Sequence, residues 1–97
     1  MSKFDQILAA GADLSAADSY LNLTRGAVAK RCGVSASLVS HYFGDVQSLR
    51  EAVMFYAVDR SILPVVLQGL VAGDEIAINA PEALKSAAVN ALVAQHG

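Results

Sequence analysis

Residues 28–44 read VAKRCGVSASLVSHYFG, and their spacing from Val28 to Tyr42 is that of a helix-turn-helix. Such a motif crosses two short helices steeply over a tight turn. Each special position makes a physical demand. Where the second helix crosses the first, a small side chain is needed, and Ala29 supplies it. Four residues later the turn needs a residue that accepts positive φ, and Gly33 stands there. The inward positions are apolar: Val28, Cys32, Val34, Val39 and Tyr42. The outward positions of the second helix must be short or polar to enter a major groove, and Ser35, Ala36, Ser37, Ser40 and His41 fit. The same spacing also suits a helical hairpin that packs a core and binds nothing.

Outward from the motif the chain reads as helix throughout. Val, Ile and Thr do not alternate with polar residues over any long window, so strands have little support. A first helix is predicted over Phe4 to Ala17, with Phe4, Ile7, Leu8 and Leu14 on one face and Gly11 weakening it by about 1 kcal/mol. Thr24 caps a second helix that reaches about Arg31, and Ser35 caps a third that ends at Phe43 before Gly44. Asp45 caps a longer fourth helix, Val46 to about Leu63. Pro64 opens a short apolar helix that Gly73 ends, and Pro81 opens a last one to about Gln95. Between them Asp74 to Ala80 reads as a connection, with Ile76 and Ile78 suited to a short extended piece. Tyr20, Phe43, Phe55 and Tyr56 read as core.

The composition excludes several classes. Of 97 residues, 55% are hydrophobic and 16% charged, which is the opposite of a disordered chain. A chain this short has room for one small domain, and its apolar excess points to surface that meets a partner. A single cysteine, Cys32, excludes an internal disulfide and reads as a small buried hydrophobe. Asp5 and Asp13 interrupt the region after Lys3, against a secretory signal. The longest apolar run, Ile62 to Leu67, is far below the ~20 residues of a membrane helix. A cytoplasmic protein without a membrane partner is expected. The net charge of −2 gives no global attraction to nucleic acid, but residues 20–50 carry Arg25, Lys30, Arg31 and Arg50 against Asp45 alone. A local basic face can guide contact with phosphates. His41 lacks a nearby nucleophile pattern, Asp74 and Glu75 read as loop surface, and Gly69 and Gly73 lack the lysine of a phosphate loop. No catalytic residue, metal or cofactor is expected.

From Ile7 to about Val53 the sequence resembles, without gaps, the DNA-binding domain of the tetracycline-repressor (TetR) family of bacterial transcription factors. Ile7, Leu8 and Leu14 stand where that family has its first-helix core, and Tyr20 takes the aromatic position between helices one and two. The segment GVSASLVSHYFGDVQSL, Gly33 to Leu49, looks like the family's Gly-Val-Ser, variable stretch, His-Tyr-Phe-Gly and Leu. The resemblance implies an all-α fold: a three-helix DNA-binding head, a longer fourth helix and, here, one or two short C-terminal helices. It implies that Thr24 and Arg25 touch phosphates at the start of helix two. Ser35 would cap helix three beside a phosphate. Ala36, Ser37, Leu38, Ser40 and His41 would face bases or backbone, and Tyr42 would offer its hydroxyl to a phosphate with its ring packed.

The departures matter as much. The family often has a lysine just after the stop, where this chain has Val46. It often has lysine, glycine and threonine early in helix three, here Ala36, Ser37 and Leu38, and tyrosine before the histidine, here Ser40. Arg50 and Gln47 are the candidates to replace the missing lysine contact. The residues after helix four are too few to enclose the family's usual small-molecule pocket, so no effector site is expected. The sequence therefore divides into a DNA-binding part, 1–53, and a helical extension, 54–97, whose apolar face suits dimerisation. A homodimer would set two recognition helices about one DNA turn apart on a palindromic operator of double-stranded DNA. This makes the chain a small sequence-specific DNA-binding regulator, with repression by promoter occlusion. The alternative is a helix-turn-helix-shaped protein-interaction module, an antirepressor or an inhibitor of a host regulator, which reads no DNA.

Overall fold

The computed structural model describes residues 1–96. Among them stand seven α-helices and no strand: α1 Lys3–Ala17, α2 Arg25–Cys32, α3 Ala36–Phe43, α4 Val46–Arg60, α5 Leu63–Ala72, α6 Glu75–Ile78 and α7 Glu82–His96. The all-α expectation holds. Side chains at the expected positions set the starts of α2, α3 and α4. Thr24, Ser35 and Asp45 each take extended backbone and accept a hydrogen bond from the N–H three residues on.

α4 is the spine. Leu49, Val53, Met54 and Ala57 along it are fully buried. Ile7 of α1, Val28 of α2, Val39 of α3, and Val65 and Val66 of α5 join the same core. Gly11 has a use that its low helix propensity hides. A Cβ there would stand 2.6 Å from Val53 Cγ2, so the glycine is what lets α1 lie close on α4. Gly69 does the same for α5, where a Cβ would stand 2.6 Å from the Ala77 methyl.

α5 packs onto α4 and α1, α6 onto α4 and α5, and α7 onto α5, and all three contribute to the same core. Gln68 of α5 joins them to the head by hydrogen bonds. Its Nε2 donates to Ser15 O at 2.7 Å and Asp18 O at 3.4 Å, and its Oε1 accepts from Tyr20 N–H at 3.0 Å. It thus adds a donor to Ser15 O, which otherwise accepts only a 3.2 Å bond from Asp18 N–H, and satisfies the N–H that opens the 3-10 turn Tyr20–Asn22. The Tyr20 hydroxyl donates to Asp74 Oδ2 at 3.2 Å, from beneath the same joint.

Several boundaries and burials differ from expectation. α4 stops at Arg60, before Leu63, because Ser61 takes the left-handed conformation at φ 57°. Ile76 and Ile78 belong to a helical turn, α6, because Asp74 caps it through the Ile76 N–H at 2.9 Å. α7, Glu82–His96, lies where the last helix was expected. Phe55 is 66% exposed and is not core, since it leaves α4 on the side away from Val53 and Ala57.

Candidate nucleic-acid interface

The interface is built from three helix starts. α2 begins at Arg25 behind its Thr24 cap, whose side chain accepts from Ala27 N–H at 3.1 Å. Gly33, at φ 76°, ends it, and Gly33 N–H and Val34 N–H both return to Ala29 O at 2.9 and 3.0 Å. Glycine, free of the Cβ penalty, adopts this left-handed turn at the least cost. The chain then enters α3, whose cap Ser35 accepts from Leu38 N–H at 3.1 Å. Gly44, at φ 79°, stops α3, and its N–H reaches Ser40 O at 2.7 Å. Asp45 then opens α4. Its carboxylate accepts from Ser48 N–H at 2.8 Å, and that bond, with a smaller effect from the Arg25 charge, holds its pKa below the usual carboxylate value.

α3 presents the two-faced pattern expected of it. Val39 is fully buried, whereas Ser35, Ala36, Ser37 and His41 are exposed and Leu38 and Ser40 half-buried. Tyr42 is a correction. It does not sit at an inward position, being 42% exposed, because Phe43 takes the space under α1. The Phe4 ring stacks on Phe43 with centroids 5.1 Å apart and meets Tyr42 edge-on at 5.9 Å. Tyr42 is therefore braced from one side, with its remaining surface in water. Phe4, expected on the buried face of α1, is itself 41% exposed. Cys32 and Val34 are half-buried against the core.

Between the three helix starts lies an open groove of about 650 Å³. Thr24, Arg25 and Gly26 form one wall, Ala36, Ser37 and Ser40 the second, and Val46 with Arg50 the third. No carboxylate lines it. Arg25 crosses the groove: its Nη1 donates to Ser40 Oγ at 2.9 Å and to Gly44 O at 3.3 Å. The basic segment does not all face this way. Arg31 turns back to Asp13 on α1, 3.6 Å away and largely exposed, so its charge is shared with that carboxylate. Gln47 donates to Glu51 at 3.4 Å and does not line the groove.

Five of the residues singled out from sequence thus share one groove: Thr24, Arg25, Ala36, Ser37 and Ser40. Ser35, Leu38, His41 and Tyr42 lie outside its lining. The place of Arg50 and the Arg25–Ser40 bond were not read from the sequence. A signal existed for the first, since Arg50 stands four residues after Val46 and so shares its helix face. None existed for the second, because fifteen residues separate the partners.

Residues 7–53 match the family model described as bacterial regulatory proteins, tetR family. This segment is a TetR-family helix-turn-helix domain. No curated protein and no solved structure matches the chain. In TetR-family terms α2 and α3 are the helix-turn-helix pair, and the matched segment ends inside α4. The family's DNA-binding character therefore attaches to the half of the chain that carries the groove. Among the described residues, no group of His, Cys, Asp and Glu could hold a metal ion, and no helix is long and apolar enough to cross a membrane.

Proposed function

We propose that the protein is a small sequence-specific DNA-binding regulator that represses transcription by occupying a palindromic operator as a homodimer. The observation that carries this reading is the outer face of α3: short, polar and exposed, with the Arg25 guanidinium hydrogen-bonded onto it and no carboxylate in the adjoining groove. An α-helix with short side chains fits the major groove, and cations beside it meet the phosphates. Leu38 suits a thymine methyl, and the serines and His41 offer hydrogen bonds to base edges. Thr24, Ser35 and Tyr42 would hold the backbone on either side. For the dimer, the supporting feature is α7, where Val89, Leu92 and Val93 follow helical spacing and are 45%, 37% and 61% exposed.

A gel-shift titration against genomic fragments at low salt tests this. Retention of particular fragments is expected. Arg25→Ala should weaken all sequences by a similar factor, whereas His41→Ala should change which fragment is preferred. Absence of retention at every salt concentration overturns DNA reading and leaves the helix-turn-helix as a protein-interaction module. The hydrogen bond to Ser40 adds a condition: Arg25→Ala and Ser40→Ala should not be additive, since each removes the same contact.

A further inference from the structure

We infer that the groove between the starts of α2, α3 and α4 is a seat for one phosphate group, with Arg25 and Arg50 as its two cationic walls. This rests on the DNA-binding reading and makes Arg50 the substitute for the lysine absent at Val46.

Arg50 is half-buried and fixed. Its Nη2 donates to Leu23 O at 3.2 Å, just ahead of α2, while its Nε is buried without a hydrogen-bond partner. Among the described residues neither Arg25 nor Arg50 forms an ion pair, although Arg31, Arg60 and Lys85 all do. A partly buried cation without a countercharge is costly, and proteins normally pair it. Arg50 is such a cation, and the exposed Arg25, whose charge is also felt by Asp45, faces the same groove, which no carboxylate lines. Asp45, which caps α4 nearby in sequence, has its carboxylate occupied by Ser48 N–H. The groove walls also include Gly26, in the first turn of α2, and Ala36 and Ser37, in the first turn of α3. First-turn N–H groups lack intrahelical acceptors and carry the positive ends of their helices. The two arginines and these helix starts thus favour a compact oxyanion, with Leu23 and Val46 completing the lining. A duplex docked on α3 would bring its backbone to this side of the helix. Arg25, already tied to Ser40, would keep one edge on α3 and offer the rest of its fork to the phosphate.

The test compares wild-type protein with Arg50→Gln and Arg50→Lys, all three first checked for the wild-type helical content and melting. Duplex affinity is measured across a salt series on several sequences. Arg50→Gln should weaken every sequence alike and lower the slope of log K against log [salt] by about 0.9 per bound subunit. Arg50→Lys should keep the wild-type slope. An unchanged slope in Arg50→Gln overturns the seat while leaving DNA binding intact. A second arm needs no DNA. Inorganic phosphate titrated into the wild type should shift the amide resonances of Arg25, Gly26, Ala36 and Ser37 together. Arg50→Gln should abolish that response. If wild type binds no duplex but shows these localised shifts, the regulator reading fails and the seat stands for a free phosphate or nucleotide. Scattered or absent shifts overturn the seat.

Discussion

Tyr20 shows how much a single side chain can report. It is 3% exposed, and its hydroxyl donates to Asp74. Burial first, then the neighbouring Asp74 charge, pushes its pKa up to about 12. In the unfolded chain the phenol ionises near 10. Between these values the unfolded state has released a proton that the folded state keeps. The contribution is therefore complete below about pH 10 and is lost as pH climbs toward 12. Spectrophotometric titration should show a tyrosine ionising near pH 12, and Tyr20→Phe should remove that step. The difference in melting temperature between wild type and Tyr20→Phe should shrink over the same interval. A difference that stays constant from pH 9 to 12 would refute the assignment. The sequence placed this ring between the first two helices but could not name Asp74 as its partner, 54 residues away.

At the level of helices, local chemistry and packing were not equally legible. The caps at Thr24, Ser35 and Asp45 and the stops at Gly33 and Gly44 act within a few residues, so sequence alone located the ends of α2 and α3 closely. Ile76 and Ile78 looked extended because a single helical turn is too short for a 3.6-residue pattern to declare itself. Phe55 looked inward because aromatic rings usually are, and Tyr42 because it stands at an inward position of the helix-turn-helix spacing. Their exposure depends on which neighbour takes the space, and that is a tertiary fact. Gly11 is the clearest case. By propensity, Gly11→Ala should stabilise α1 by about 1 kcal/mol. The added Cβ would instead meet Val53 Cγ2 at 2.6 Å, and Val53 is stiff and fully buried. Overpacking of this kind costs about 1–3 kcal/mol. The expected net is a loss of up to about 2 kcal/mol, read as a lower denaturant midpoint. A higher midpoint would show that α1 can lift from α4 at little cost.

Across the molecule, one core spans both parts that the sequence suggested, and Gln68 is its polar fastening. The half that matches the TetR-family model was legible because its residues follow a demanding local pattern. The way α5 to α7 pack was not, since alanine and valine fit many helix neighbours equally well. Gln68→Ala removes the donor to Ser15 O and Asp18 O and the acceptor for Tyr20 N–H. With the partly buried Tyr20 N–H left unpaired and Ser15 O left only the 3.2 Å bond from Asp18 N–H, the expected cost is about 1–3 kcal/mol. Thermal unfolding followed by circular dichroism should remain a single transition at a lower temperature. An unchanged midpoint would mean that water replaces Gln68 without loss.

The position of α4 also bears on how such a chain can change over generations. The segment that matches the TetR-family model closes at Val53, yet Val53, Met54 and Ala57 lie side by side in the same dry interior. A recombination breakpoint at that border would hand its recipient half of a hydrophobic interior. Gene shuffling can therefore pass this helix-turn-helix unit on intact only if the crossover falls beyond the helix that completes it.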